Sequence, residues 1–320
     1  MRAVLVVNPN ATTTTPRRTE VVVSALQTQL DLTVCRTLAR GHARELAAQA
    51  KRDSVELVIC LSGDGTINEV VNGIVGDAPA ADQPILGIIP GGHTNVFARA
   101  LGLPRDAVEA TGTLLGALQA NQRRTVSLGR LNDRWFTFCA GVGFDAEVVR
   151  RVENKRREGH RASAALYARM VAAEYAERVR QLTGRLTLTE SNGTQHELAM
   201  LVTQNTTPWT YIGNHAIVGS LTASFDRGLD AVGITTLKPG PLLRTIVRFL
   251  GNRTMESPDM ITIRDTNSFA VAASAPMAVH VDGDYVGERD QLNFSSAANA
   301  LTVLAPNPHG AEFLRPTELH

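Results

Sequence analysis

The chain has few cysteines, few aromatic residues and almost no net charge. Its 320 residues include three cysteines and 5% aromatic residues, and the formal net charge is +1. Three scattered cysteines form neither a disulfide framework nor a zinc site, a pattern typical of a reducing cytosol. A nearly neutral chain has no basic field that would attract nucleic acid, so we expect no nucleic-acid partner.

Long apolar segments are missing as well. No run approaches the ~18 consecutive apolar residues of a membrane-spanning helix. The N-terminal run Val4–Val7 is too short for a signal peptide. Apolar content of 43% and charged content of 20% are ordinary for a globular protein large enough for two domains. We therefore expect a cytoplasmic protein that reaches any membrane from outside.

The most informative segment joins a predicted buried strand to an amphipathic helix. The apolar run 55–61 is followed by Gly63-Asp64-Gly65-Thr66, and residues 67–75 then repeat apolar side chains at helical spacing. A glycine turn here leaves backbone N–H groups at the positive end of a helix, where a phosphate binds. The carboxylate of Asp64 indicates that a divalent cation or a proton is handled there too. The segment alone is also typical of a tight connection with Asp64 as a capping residue.

Two further loops follow predicted strands in the same way. The strand 85–89 precedes the loop 90–95 and a helix that contains Arg99, while the strand 4–7 precedes Asn8 and the threonines 12–15. Loops at the carboxyl ends of neighbouring parallel strands line one crevice, where open α/β sheets bind ligands. We therefore expect one phosphate-binding crevice formed by three loops.

The rhythm of predicted elements changes near residue 125. Strands and helices alternate before it, which predicts an α/β, doubly wound, mostly parallel sheet over residues 1–125. Short strands separated by turn residues predict a mostly antiparallel β-sandwich domain over 126–300, interrupted by helices at about 161–181 and 240–250. The expected architecture is therefore two domains of different class.

Four motifs carry a family resemblance. They are Asn8-Pro9, the stretch 63–69, Pro90-x-Gly92-x-x-Asn95-x-Phe97-Ala98-Arg99, and Val281-Asp282-Gly283-Asp284. Their order and spacing resemble the diacylglycerol kinase catalytic-domain family of bacterial lipid kinases and sphingosine kinases, in a superfamily shared with NAD kinases. The resemblance implies that the first domain binds ATP with Mg²⁺ and the second accepts the lipid. It also implies that the chain after about residue 300 returns to the first domain.

The resemblance also implies roles for individual residues. Asp284 would be the general base, where the family has glutamate, with Asp64 and Arg99 as further catalytic residues. The residues implied to contact ATP are Asn8, Thr12, Thr37, Gly63, Asp64, Gly65, Thr66, Asn68, Glu69, Gly92, His93 and Asn95. The residues implied to hold magnesium are Asp64, Asp282, Asp226 and Asp230.

Plainer interpretations of these residues stay open. The threonine run is also typical of a polar surface loop, and Thr37 of an ordinary strand end. Asp282-Gly283 alone is typical of a hairpin turn. The segment 226–230 is one residue shorter than its counterpart in the family, and a turn with exposed carboxylates explains it equally well.

The chain departs from the family pattern near the expected site. Ser62 replaces the usual first glycine, His93 stands where bacterial diacylglycerol kinases have threonine, and Val96 and Ser127 stand at aspartate positions. These changes favour a lipid kinase of a variant branch over a diacylglycerol kinase in the strict sense.

The resulting hypothesis is a lipid kinase that transfers the γ-phosphate of ATP to the hydroxyl of a diacylglycerol- or sphingoid-type lipid, at a site between the domains. NAD kinase is the alternative enzyme, and a catalytically impaired nucleotide- or lipid-binding regulator is the non-enzymatic alternative. A homodimer is left open.

The expected lipid is presented by a membrane, which implies transient, peripheral association with its surface. Two segments offer contacts: a basic cluster between residues 150 and 161, and the rings of Trp209 and Tyr211. A solvated charged face and rings packed in a core are the respective plain alternatives.

Overall fold

The computed structural model describes residues 1–160, 164–178, 185–251 and 257–306. The chain divides into two compact units. Unit 1 comprises Met1–Ser127 together with the chain from Asn299, and unit 2 comprises Leu128–Ala298. The roles predicted for the two regions, in nucleotide and in lipid binding, stay predictions.

Unit 1 is built on a parallel sheet. Its strands are β1 (Arg2–Val7), β2 (Asp31–Arg36), β3 (Leu57–Ser62) and β4 (Ile85–Pro90). They lie in the order β2-β1-β3-β4, and the end of a long C-terminal strand adds to β4 in parallel through Val303 and Leu86. The chain order reverses between β1 and β3, so their carboxyl ends flank a crevice of the kind in which such sheets bind ligands.

Helices cover this sheet. They are α1 (Pro16–Gln27), α2 (His42–Arg52), α3 (Asp64–Val75), α4 (Val96–Ala100) and α5 (Ala107–Gln119). Val22 and Leu26 of α1 and Leu114 of α5 share a core with one face of the strands. Helices α2 and α3 pack so closely that a Cβ at Gly73 would lie 2.3 Å from the carbonyl oxygen of Arg44. The strands are nearly continuous apolar runs because helices bury them.

Unit 2 is mostly antiparallel. Strand β5 (Arg123–Leu131) enters it, followed by β6 (Arg134–Phe136), β7 (Cys139–Gly143), β8 (Leu186–Glu190), β9 (Gln195–Leu198), β10 (Met200–Gln204), β11 (Thr210–Ile212), β12 (His215–Ile217), β13 (Leu229–Ile234), β14 (Met260–Thr266), β15 (Ser268–Val281) and β16 (Asp284–Leu304). The first half of β15 pairs with β8, and its second half pairs with β7 of the series β7-β10-β13-β14. One long strand thus joins two sets of antiparallel strands.

Three helices accompany these strands: α6 (Phe144–Arg157), α7 (Ala164–Arg178) and α8 (Pro239–Leu250). Helix α6 was not among the helices expected from the sequence. Its apolar positions nonetheless recur at helical spacing, and Val148, Val149 and Val152 are buried. The ends of the helix predicted at 161–181 lie outside the described residues.

The predicted fold class is confirmed, with corrections to some strand boundaries. Short strands were expected in unit 2, but residues 268–281 form the single long strand β15. Pro276 lies at the register shift between Ala272 and Met277. An irregularity of this kind admits a proline without ending the strand.

Candidate phosphate-binding loops and acidic turn

The carboxyl ends of β1 and β3 meet through side chains. The Asn8 amide Nδ2 donates to Thr66 Oγ1 at 3.0 Å, and the Asn8 backbone N–H donates to the Leu61 carbonyl oxygen at 3.4 Å. Strand β1 lies beside β3, so each strand brings its following loop to the same edge. The structure therefore places two of the predicted nucleotide contacts side by side.

The two glycine loops pack backbone against backbone. A Cβ at Gly92 would lie 2.6 Å from the Gly63 Cα, and a Cβ at Gly63 would lie 3.1 Å from the Gly92 Cα. Backbone atoms cannot withdraw as the end of a flexible side chain can. A glycine at each position therefore lets the loops after β3 and β4 touch, and it leaves their backbones open to a ligand.

Asp64 links the same two loops. Its carboxylate accepts hydrogen bonds from the backbone N–H groups of Val96 at 3.0 Å and Phe97 at 3.2 Å, at the start of α4. Asn95 precedes them in the left-handed conformation with φ of 52°, and its side chain bonds to both backbone polar groups of Gly92. The carboxylate thus orders the second loop from the first.

Two buried hydroxyls line the contact between these loops. The Oγ atoms of Thr14 and Ser62 are buried and have no hydrogen-bond partner among the described residues. A Cβ at Gly91 would lie 2.6 Å from the Thr14 oxygen and 3.1 Å from the Ser62 Cα. Buried hydroxyls normally have partners, so these two are available donors beside the glycine loop.

A cleft of about 360 Å³ opens next to Gly92. Its lining residues are Thr13, Arg18, Gly92, His93, Asn95, Arg105, Asp106 and Ala107. The Arg18 guanidinium donates to the Thr13 carbonyl oxygen at 3.2 Å, and the Thr13 N–H donates to the Gly91 carbonyl oxygen at 3.0 Å. Two arginines and a histidine give this cleft a composition suited to an anion.

Four residues at this cleft and loop were absent from the predicted site: Thr13, Thr14, Arg18 and Arg105. Arg18 and Arg105 line the cleft although neither follows a strand directly. Thr12 and Thr13 are both exposed, but the Thr13 backbone and the Thr14 side chain lie against the glycine loop, and the ATP contact of Thr12 stays a prediction. The run itself was the available signal, but the curvature of the loop decides which threonine faces inward.

Three other residues predicted to contact ATP make hydrogen bonds within the protein. Thr37 is buried, and its N–H donates to the Val7 carbonyl oxygen at 2.9 Å. The Glu69 carboxylate accepts from the Gly41 N–H at 2.8 Å, while buried Asn68 accepts from the Asn72 amide. Burial raises the pKa of the Cys60 thiol, and the charge of Glu69 adds to that shift. Gly65 and Arg99 are partly buried at α3 and α4.

The Asp-Gly-Asp segment of unit 2 forms a two-residue hairpin turn between β15 and β16. Asp282 and Gly283 have φ of 49° and 76°, and Val281 pairs with Asp284. The Asp282 carboxylate is buried and accepts from Thr137 N–H (2.8 Å) and Oγ1 (2.9 Å), and from the N–H groups of Phe138 (3.0 Å) and Cys139 (3.2 Å). This carboxylate fixes the turn, which leaves Asp284 partly exposed at the start of β16.

Further ionisable groups lie near Asp284. Although 41% of Tyr167 is exposed, the desolvation of its hydroxyl end raises its pKa. Arg156 opposes this shift, and the charges of Asp145 and Asp284 add to it. Asp145 in turn lies 2.5 Å from Nε2 of the buried His280. The charge of Asp284 thus acts on Tyr167 of α7, within unit 2.

The segment around Asp226 is an ordered polar turn. Asp230 is buried and accepts from the hydroxyls of Ser220 and Thr222 and from the Asp265 N–H, at 2.6, 2.5 and 2.8 Å. Across the part of the chain that the structure describes, no three histidine, cysteine, aspartate or glutamate side chains converge to hold a metal ion. The metal roles predicted for Asp226 and Asp230 stay predictions.

Residues 2–131 match the family model described as the diacylglycerol kinase catalytic domain. A diacylglycerol kinase of Bacillus subtilis (strain 168) is 41% identical over 120 residues, which cover 37% of each chain. A diacylglycerol kinase of Staphylococcus saprophyticus is 32% identical over 156 residues, which cover 48% of this chain and 49% of the relative. The chain thus spans between about a third and a half of these relatives.

Solved structures extend the likeness in fold to nearly the whole chain. A diacylglycerol kinase from Bacillus anthracis str. Sterne superposes with a TM-score of 0.69 at 20% identity, covering 97% of this chain and 98% of the other. At that identity the comparison establishes the fold. The predicted resemblance to this family is confirmed for residues 2–131, which contain three of the four motifs.

Proposed function

We propose that the protein is an ATP-dependent lipid kinase that phosphorylates the hydroxyl of a diacylglycerol- or sphingoid-type lipid. The observation that carries the proposal is the contact of Gly63 with Gly92 beside two buried hydroxyls without partners, within a matched diacylglycerol kinase catalytic domain. Open backbone, hydroxyl donors and neighbouring arginines together suit a polyphosphate.

In the proposed reaction, unit 1 holds the ATP phosphates. The hydroxyls of Thr14 and Ser62 donate to phosphate oxygens, and Arg18 and Arg105 offset the negative charge from the cleft beside Gly92. Asp64 does not contact phosphate directly in this account, because its oxygens accept N–H groups of α4. Phosphoryl transfer depends mainly on such positioning and charge stabilisation.

Asp284 is the proposed general base. Its carboxylate takes the proton of the acceptor hydroxyl as that oxygen attacks the γ-phosphorus. The bond from the γ-phosphorus to the bridging oxygen breaks, and ADP leaves with the electron pair. A carboxylate that removes this proton typically contributes about 10²–10⁴-fold to the rate. Aspartate performs the same chemistry as the glutamate of the family.

Magnesium is implied by the family, but the described side chains do not form a ligand cage for it. No trio of suitable ligands converges in the described part of the chain, and Asp64, Asp282 and Asp230 accept hydrogen bonds from protein donors. Magnesium is commonly held by one or two carboxylates together with substrate phosphates. The magnesium-ligand roles predicted for these aspartates stay predictions.

Location and assembly remain proposals. We propose a cytoplasmic enzyme that visits the membrane surface transiently, because the acceptor lipid is held in a bilayer. Each helix in the described ranges is too short or too polar to cross a membrane. A homodimer remains a prediction.

The test is ADP release from ATP with Mg²⁺ in mixed micelles, with diacylglycerol, sphingosine, ceramide or NAD as the acceptor. A signal that depends on one lipid supports the proposal and names the acceptor class. Turnover with NAD alone would contradict it in favour of an NAD kinase. ATP binding without ADP release for any acceptor would favour the catalytically impaired regulator. The departures from the family pattern at His93, Val96 and Ser127 would then account for the missing activity.

A further inference from the structure

Helix α8 exposes a row of apolar side chains. Leu243, Ile246 and Val247 are 63%, 38% and 55% exposed, whereas Thr245 is buried. Spacings of three and four residues place the three apolar side chains on one face of the helix. No other helix in the described ranges exposes three large apolar residues. A contiguous exposed row of this kind marks a surface that contacts something apolar.

Positive charge flanks this row, and the helix has no acidic residue. The α8 sequence PGPLLRTIVRFL contains Arg244 and Arg248, and exposed Lys238 precedes it. At 100° per residue the two arginines fall on the same flank of the apolar row. Arg244 is mostly exposed and lies 3.6 Å from Asp259. Helices that lie in a membrane interface combine an apolar face with basic residues in this way.

The basic cluster on α6, for which the sequence left open a membrane contact or a solvated charged face, differs from α8 in its apolar side. Four of its cations are each paired with carboxylates of α6, of α7 or of the residue that follows α6; the pairs are Arg150–Glu147, Arg151–Glu174 and Glu177, Lys155–Glu158, and Arg157–Glu153. Helix α6 also buries its apolar side, whereas α8 exposes three large apolar side chains. The geometry therefore favours α8 over α6 as the element that meets a bilayer.

We propose that α8 docks on an anionic lipid bilayer. Leu243, Ile246 and Val247 enter the boundary of the acyl chains, and Arg244 and Arg248 lie at the phosphate headgroups. This partner follows from charge complementarity: an apolar face flanked by cations matches an apolar layer bordered by anions. The inference rests on the proposed lipid kinase function, because a lipid acceptor is found in the bilayer that α8 would meet.

The experiment measures binding of the full chain to sedimented phosphatidylcholine vesicles, with and without phosphatidylglycerol. We expect the double variant Leu243→Gln/Val247→Gln to bind the anionic vesicles about 100-fold more weakly, since two apolar anchors are lost. Val108→Gln is the matched control, because Val108 is 48% exposed on helix α5. Arg244→Gln should weaken binding about fivefold, only on vesicles that contain phosphatidylglycerol.

Two further readouts separate this proposal from the proposed function. Light scattering reports whether a second copy covers α8: a double variant that turns from dimer to monomer, with vesicle binding intact, would overturn the proposal. A parent chain that does not sediment with anionic vesicles would overturn the proposal too.

Phosphorylation of a short-chain, water-soluble diacylglycerol needs no bilayer, so the double variant should retain this activity. Absence of phosphorylation in the parent, with α8-dependent vesicle binding, would refute the kinase alone.

Discussion

The two Asp-Gly segments differ in what their carboxylates hold. In unit 1, Asp64 accepts two N–H groups and joins one glycine loop to the next. In unit 2, Asp282 is buried under four donors and fixes a hairpin turn, while Asp284 lies partly exposed two residues later. In both segments, the first carboxylate holds backbone in place through hydrogen bonds. The proposed chemistry of each motif is therefore assigned to neighbouring groups.

The largest expected effect on ATP binding comes from Gly92→Ala. A Cβ there would lie 2.6 Å from the Gly63 Cα, so the two loops must separate. We expect loss of ATP binding of about 100-fold and a loss of about 1–3 kcal/mol in the free energy of unfolding. Calorimetric titration and urea unfolding check this. ATP affinity equal to that of the parent would show that contact between the loops is not needed.

Asp282→Asn tests the carboxylate of the second segment. An amide cannot accept all four hydrogen bonds, and its NH₂ group would face a backbone donor. We expect a loss of about 2–4 kcal/mol in unfolding free energy, measured by urea unfolding. Asp133→Asn is the control, because Asp133 is exposed in a hairpin turn of the same unit. Equal stability of the two variants would contradict the role of Asp282 in stabilising the hairpin turn.

Asp64→Asn is the matching change in unit 1. The carboxylate serves two donors at 3.0 and 3.2 Å and is only partly buried, so we expect a smaller cost of about 1–2 kcal/mol. Thermal unfolding compares it with Asp282→Asn directly. A greater loss for Asp64→Asn than for Asp282→Asn would reverse the comparison.

The smallest effect should come from Gly112→Ala on α5. A Cβ at Gly112 meets no atom within 4 Å, and alanine suits a helix better than glycine. We expect a gain of about 0.4–1 kcal/mol in unfolding free energy, with unchanged ATP affinity. This variant is the control for Gly92→Ala. A weakened ATP affinity would mean that any added methyl in unit 1 disturbs the loops.

Several features were predictable because they follow from strand order. Asn8, Gly63 and Gly92 come directly after parallel strands, so their convergence follows once the sheet is expected. Asp64 was also interpreted as a cap of its own strand–helix connection, but its carboxylate accepts the N–H groups of Val96 and Phe97 at the start of α4 instead.

Other features depend on three-dimensional packing that sequence patterns do not carry. The inward position of Thr14 depends on how its loop curves over Gly91, and Arg105 reaches the cleft from a segment with no motif. The helix at about 240–250 was predicted, but the exposure of its apolar row was not, because periodicity indicates a face without saying what covers it.

The most direct test of the central claim compares ATP binding and turnover in Asp284→Asn. The account predicts that this variant binds ATP like the parent and unfolds at the same urea concentration, while its rate of lipid-dependent ADP release falls about 10²–10⁴-fold. Asp133→Asn, an equivalent change in another hairpin turn, should keep the full rate. Full turnover by Asp284→Asn would contradict the assignment of the general base.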